Sequence, residues 1–431
     1  MAQITKLALS AVALGLGASL ALSGCAAGGP PQASKQPGEK TVIRFAWWGN
    51  DTRNKITTQV IEAYEAANPD VDIQGEPTDG GSYWDKVATQ VAANDMPDVI
   101  QMDEKYISEY GKRGALMDLS SINTADFAEG TVELGEVGDK LVGINIGVNA
   151  PALVANPKVF ADAGVDLPDD ATWTWEDFHA IAKQISAKGG GQTWGSVNPM
   201  SVDSTLKAWL RQHGKEQWTA EGQGYTADDV TPFFAFFKEL QDDGTFAGAS
   251  VTAEDEGKAL DQTLMATNRV GMATLWSNQL TTMDKATGQD LKLLALPSTT
   301  GQMKDAGLWY KAAMYWSASA RTKNADEVKK FIDYLSNSTE AGAIMGTERG
   351  FPPNLKVREA IAPNYTNSDK KVVAYLDAIQ PNLGPTSVVP PQGGGQSPEI
   401  QKRHAQNVEF DRGSPASEAK GFHDEVKSVL K

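Results

Sequence analysis

The stretch RFAWWGND, residues 44–51, sets two adjacent tryptophans beside Gly49, Asn50 and Asp51. An indole offers a flat, electron-rich apolar face, while amides and carboxylates offer directional acceptors and donors. Together they suit a ligand with apolar C–H faces and a rim of hydroxyls, which describes a pyranose ring. The chain holds 11 tryptophans, enough for several such faces. It also holds 55 carboxylates, and Asp103 and Glu104 stand side by side after the apolar run DVIQM. Cleaving a glycosidic bond needs two carboxyl groups placed across that bond, which adjacency in sequence does not provide. The four histidines, at 179, 213, 404 and 423, are scattered, and no HExxH, GxSxG or GxxxxGK[ST] pattern occurs. These residues therefore favour gripping a ligand over transforming it, and they imply no cofactor or metal.

Each tryptophan also has a purely structural reading. Trp84 and Trp209 fall on helical stripes and are expected in a core, and Trp173 and Trp175 flank a helix start. Trp47, Trp194 and Trp218 fit either a core or a ligand. Neighbours in a strand point to opposite faces, so Trp47 and Trp48 cannot both enter one core. Trp48 and Trp276 are expected as stacking platforms.

Strand and helix patterns alternate around these residues. TVIRFAWWG reads as a strand ended by Gly49, and NKITTQVIEAYEAANP as a helix with Ile56, Val60, Ile61 and Tyr64 on one face. VDIQGEP is a strand, SYWDKVATQVAAND a helix opened by a Ser82/Asp85 capping box, and PDVIQMDE a third strand. This is βαβαβ order, expected of an α/β lobe with a mainly parallel sheet. KLVGINIGVNAPALVANP and KAAMYWSASART are apolar segments long enough to pass between lobes. TWEDFHAIAKQI, with a Thr174/Asp177 capping box, TPFFAFFKEL and NADEVKKFIDYLSN are expected helices, and 381–398 is Pro/Gly-rich loop.

The chain starts with an apolar run from Leu7 to Leu22 followed by LSGC, the pattern of an export signal rather than a membrane span. Leu22-Ser23-Gly24-Cys25 resembles the lipobox of bacterial lipoproteins, which implies cleavage before Cys25 and acylation of its sulfur. Cys25 is the sole cysteine, so the fold rests on its core rather than on disulfides. Residues 26–40 read as a flexible tether, and the remainder is long enough for two cores. A formal charge of −16 argues against nucleic acid as a partner and gives no reason to expect anionic lipid binding.

The segments IRFAWWG, VIEAYEAANPDVDI, YWDKVATQVAANDMPDVIQMD, YGKRGALMDL, GVNAPALVANPKVFADAG, TWTWEDF, NRVGMATLW, RTKNADEVKKFIDYL and MGTERGFPPNLKVREAI, in that order, resemble the extracellular solute-binding proteins of sugar ABC importers, the group of maltodextrin-binding protein. The resemblance implies a two-lobe α/β fold of the type II periplasmic-binding class, with several hinge crossings and the ligand between the lobes. It implies a signal peptide at 1–24, a lipidated Cys25 and tether to residue 40, one lobe from 41–148 plus 317–350, and another from 149–316 plus 351–431. Loops at the carboxyl ends of sheet strands are where open α/β folds hold ligands. On that basis the candidate ligand-binding residues are Trp47, Trp48, Asn50, Tyr83, Asp103, Glu104, Asn149, Trp194, Trp276, Asn278 and Arg349. The implied function is capture of an oligosaccharide by a lipid-anchored, extracytoplasmic monomer that delivers it to permease subunits. The WWG, YWDK and MGTERG stretches are similar to binders of plant-derived or uronic-acid oligosaccharides, and Arg53, Lys86, Lys105 and Arg349 read equally as cations for such a ligand or as surface residues. The rival readings are a secreted carbohydrate-active enzyme and a sugar-sensing receptor.

Overall fold

TVIRFAWW forms β1 (Thr41–Trp48), and Gly49 ends it. The computed structural model describes residues 40–79, 82–219 and 221–430. The expected signal segment and Cys25 lie outside them. Next come α1 (Asp51–Ala67), β2 (Val71–Thr78), α2 (Tyr83–Ala92), β3 (Val99–Met102) and α3 (Glu104–Lys112). β1 lies between β2 and β3 and is parallel to both, so the βαβαβ order holds. α1 buries Thr57, Val60, Ile61 and Tyr64 against this sheet, close to the expected stripe. The Ser82/Asp85 capping box does not form. Asp79 takes both the Ser82 hydroxyl and its N–H instead, a local turn that outcompetes the helix cap.

A hairpin of β4 (Glu136–Val137) and β5 (Lys140–Leu141) leads to β6 (Ile144–Asn145), β7 (Val148–Asn149) and β8 (Pro151–Ala155). Then follow α4 (Pro157–Ala163), α5 (Trp175–Lys188), β9 (Trp194–Ser196), α6 (Asp203–Gln212), β10 (Trp218–Thr219) and β11 (Gly222–Gln223). The Thr174/Asp177 capping box is formed at α5. α7 (Ala227–Asp242), α8 (Ala249–Glu256), β12 (Val270–Trp276), α9 (Leu280–Thr287) and β13 (Lys292–Leu294) continue the chain. It closes with β14 (Lys311–Ala312), β15 (Tyr315–Ala318), α10 (Ala325–Asn337), α11 (Thr339–Met345), α12 (Leu355–Ile361), α13 (Asn367–Ile379), α14 (Ser397–Glu409) and α15 (Pro415–Val429).

These elements build two open sheets, ordered β2-β1-β3-β15-β6 and β13-β8-β12-β9. Each anchors one lobe. Between them β7 pairs antiparallel with β14, and the Val148 N–H donates to Phe351 O (2.8 Å). Two crossing strands and the 349–351 segment therefore share one hydrogen-bonded seam. The seam is tight. A Cβ on Gly147 would stand 2.3 Å from Arg349 O, so only glycine lets the chains meet. α12 packs on α11, and Ala128 N–H donates to Pro353 O, so this stretch lies beside the first sheet. α14 and α15 pack on α7 in the other lobe.

Candidate ligand-binding cleft

A cavity of about 340 Å³ opens where the carboxyl ends of β3 and β12 face each other across the seam. Asp103, the N-cap of α3, and Glu104, its first residue, enter it just past the end of β3. Trp276 enters from the end of β12, and Lys311 from β14. α6 contributes Asp203 and Lys207, and the start of β10 contributes Gln217 and Trp218. The Pro/Gly segment 381–398, expected as loop, is irregular only between short 3-10 turns at Gln380–Asn382 and Gly394–Gln396 and enters α14 at Ser397; its 390–398 part covers one side and packs Gly395 against the Lys105 side chain. Three indoles thus border the cavity. Trp276 is half-buried and meets Trp309 edge-to-face at 6.2 Å, while Trp218 and Trp309 show only their margins.

The charges are interleaved. Lys311 Nζ lies 3.5 Å from Glu104 and 5.2 Å from the Trp276 ring centroid. Burial works against the Lys311 ammonium, but Glu104 and Asp103 outweigh it and raise its pKa. Burial lifts the carboxyls of Asp103 and Asp203 above their usual range, opposed by the Lys105 N–H at Asp103 and by the Gln217 amide at Asp203. Gln217 Nε2 donates to Asp203 at 2.6 Å, and the Lys105 N–H donates to Asp103 Oδ1 at 2.9 Å. Lys207 and Arg211 both lie over Trp309, at 4.5 and 5.5 Å.

Of the residues expected from sequence, Asp103, Glu104 and Trp276 are brought together here. Asn149 is buried in the seam, paired in register with Lys311, and its Oδ1 has no hydrogen-bond partner. The others lie elsewhere. Trp47 is 2% exposed; its ring lies over Gly75, and its Nε1–H donates to Asn54 Oδ1 at 2.9 Å. It belongs to the core beneath α1. Trp48 points to the opposite face, as strand alternation requires, and packs half-buried on Tyr83 and Trp84 away from the cavity wall. Tyr83 is fully buried, its hydroxyl donating to Gln101 O at 2.7 Å. Asn50 is the exposed N-cap of α1, accepting from Arg53 N–H at 3.0 Å. Trp194 pairs with Val270 at the start of β12, the end of the sheet opposite Trp276, and carries Arg269 over its ring. Asn278 is exposed in the turn after β12 and does not line the cavity. Arg349 is buried, donating to Gln101 Oε1 (3.0 Å) and Thr57 Oγ1 (2.7 Å), and it locks the seam to the first sheet. Arg53 and Lys86 are paired to Glu348 and Glu76.

Sequence reasoning missed Lys207, Trp309, Lys311 and Asp203. The tryptophan count included Trp309 without assigning it. Asp203 and Lys207 stand one helical turn apart in DSTLKAWLRQ, a spacing that puts both on one face of α6. That signal was present, but a lysine on a helix ordinarily reads as solvated.

The sequence model for bacterial extracellular solute-binding proteins matches residues 48–341, well over half the chain. The chain belongs to that family. An extracellular solute-binding protein family 1 member from Alicyclobacillus acidocaldarius is 24% identical, with 91% of this chain and 99% of that one covered and a TM-score of 0.75. A periplasmic oligogalacturonide binding protein from Yersinia enterocolitica is 20% identical, with 91% and 100% covered and a TM-score of 0.78. An uncharacterized lipoprotein of Streptomyces antibioticus is 25% identical over 196 residues, 43% of this chain and 42% of that one. The structural likeness fixes the two-lobe solute-binding fold. Among the described residues no helix is long and apolar enough to cross a membrane, and no cluster of metal ligands occurs.

Proposed function

We propose that this solute-binding protein captures an oligosaccharide in the cleft between its lobes and passes it, unaltered, to ABC permease subunits. The observation that carries the reading is the inter-sheet cavity itself. One wall is the half-buried face of Trp276, and the other holds Asp103 and Glu104, an apolar face opposed to acceptors. Its size is that of a small-molecule site, matching one or two sugar rings at a time. The Yersinia neighbour, named for oligogalacturonide binding, supports a glycan as ligand, and the Streptomyces lipoprotein supports Cys25 as the anchor. We assign residues 40–147 with 313–361 to one lobe and 148–312 with 362–430 to the other.

A thermal-shift screen across oligosaccharides, followed by calorimetry and chromatography of the recovered sugar, tests this. A true ligand at a hundredfold its Kd stabilises the folded state by about 2.7 kcal/mol and is recovered chemically intact. New reducing ends that disappear with Asp103→Asn or Glu104→Gln would establish an enzyme instead.

A further inference from the structure

We propose that the bound saccharide carries one singly charged acidic group, a uronic-acid carboxylate or a sulfate ester, and that the Lys207 ammonium receives it. The proposal rests on the glycan-binding reading above. Lys207 is 7% exposed, and what remains open faces the cavity. Its ammonium lies 4.5 Å over the Trp309 ring. Among the described residues no carboxylate comes within the 4.0 Å of an ion pair. Every carboxylate at the cavity, by contrast, already has a partner. Glu104 faces Lys311, Asp203 accepts from Gln217, and Asp103 accepts from the Lys105 N–H. Lys105 also lines the cavity but is exposed, its Nζ lying 5.6 Å from the Tyr106 ring centroid.

A buried ammonium without a counter-ion is costly, and proteins pair such charges or neutralise them. Burial pulls Lys207 down to about 8, with Glu104 and Asp203 acting upward and Arg211 downward. It is thus still mostly protonated at neutral pH, and the charge is there to be met. The missing partner has to come from the ligand. Of the two buried ammoniums at the cavity, Lys311 is held by Glu104 and Lys207 is left for the ligand, and one buried cation set among Asp103, Glu104 and Asp203 suits a monoanion better than a phosphate dianion. Trp276, the half-buried indole of the same cavity, would flank the acidic ring, setting charge and apolar face side by side.

Matched disaccharide sets test this: galactose/galacturonate, glucose/glucuronate and mannose/mannuronate pairs, with 6-sulfated and 6-phosphorylated counterparts. Thermal shift finds the best-bound set, and calorimetry ranks its members. The expected result is a singly charged member at least tenfold tighter than its neutral twin, with the phosphate form weaker; the uronate and sulfate arms show which monoanion is meant. Lys207→Gln should bring the acidic-to-neutral affinity ratio close to one without lowering the melting temperature of the unliganded protein. A structural lysine would lower that temperature and leave the ratio unchanged, which would overturn the proposal. So would a neutral sugar binding as tightly as its acidic twin, although that result leaves the glycan reading intact. If no member of any set shifts the melting temperature, it is the glycan reading that fails, and the proposal with it.

Discussion

At the scale of single residues, adjacent tryptophans with nearly the same sequence signature have opposite fates. Trp47 enters the core over Gly75, whereas Trp48 faces the other way onto Tyr83 and Trp84. Trp47→Ala should therefore lower unliganded stability by about 3–5 kcal/mol, as large-to-small core changes do. Trp276→Ala should leave the unliganded melting temperature nearly unchanged and weaken ligand binding by roughly 2–4 kcal/mol, the range of truncated hot-spot aromatics. Melting curves and calorimetry on both variants check this pair. Asp103, Glu104 and Trp276 were legible because each closes a readable strand, and a strand's end is a place the fold fixes. Asn50, Tyr83 and Arg349 carry the same chemistry but are consumed by a cap, a core and a seam. Lys207 was hidden for the converse reason. Its surroundings are made by Trp309 and the 390–398 segment, about a hundred residues or more downstream, which no local pattern announces.

At the scale of elements, the βαβαβ run and α10 were readable because their apolar periodicity survives in the packed protein. α10 buries Val328, Phe331, Ile332 and Leu335, the residues its sequence stripe marks. The seam was harder to read, since β7 and β14 are two-residue pairings whose identity depends on three distant segments meeting. Gly147 is the position where they meet most closely. Gly147→Ala should push Arg349 O and β7 apart, lowering the melting temperature and weakening ligand affinity together, because β14 of the same seam brings Lys311 to the cavity. Thr174→Ala, at the α5 capping box, should cost about 1 kcal/mol of stability and leave affinity unchanged. Denaturant melts with and without ligand separate the two variants, since only the first should change both quantities.

At the scale of the whole molecule, stability should depend on pH through Glu409. This residue is buried where α14 ends, and neither carboxyl oxygen has a hydrogen-bond partner. Burial first, and Glu256 second, push its pKa up to about 8 from the ordinary 4.5. The folded state thus binds a proton that the unfolded state has already lost, so stability falls as pH rises from about 4.5 to about 8. Glu409→Gln, neutral throughout, should raise the melting temperature more at pH 8 than at pH 5 and flatten the curve between them. The sheet order carries a different consequence, one of timing. β15 sits inside the first sheet, bonded to β3 on one side and β6 on the other, and Tyr315 pairs with both Met102 and Asn145. The ribosome makes that strand roughly two hundred residues after β3, and long-range pairings are slow to close in any case. Until it arrives, the β3 edge has nothing to bond, and no early fragment can complete the lobe. The second sheet has all its strands by Leu294, so the lobe that begins first along the chain is the one whose sheet is completed last.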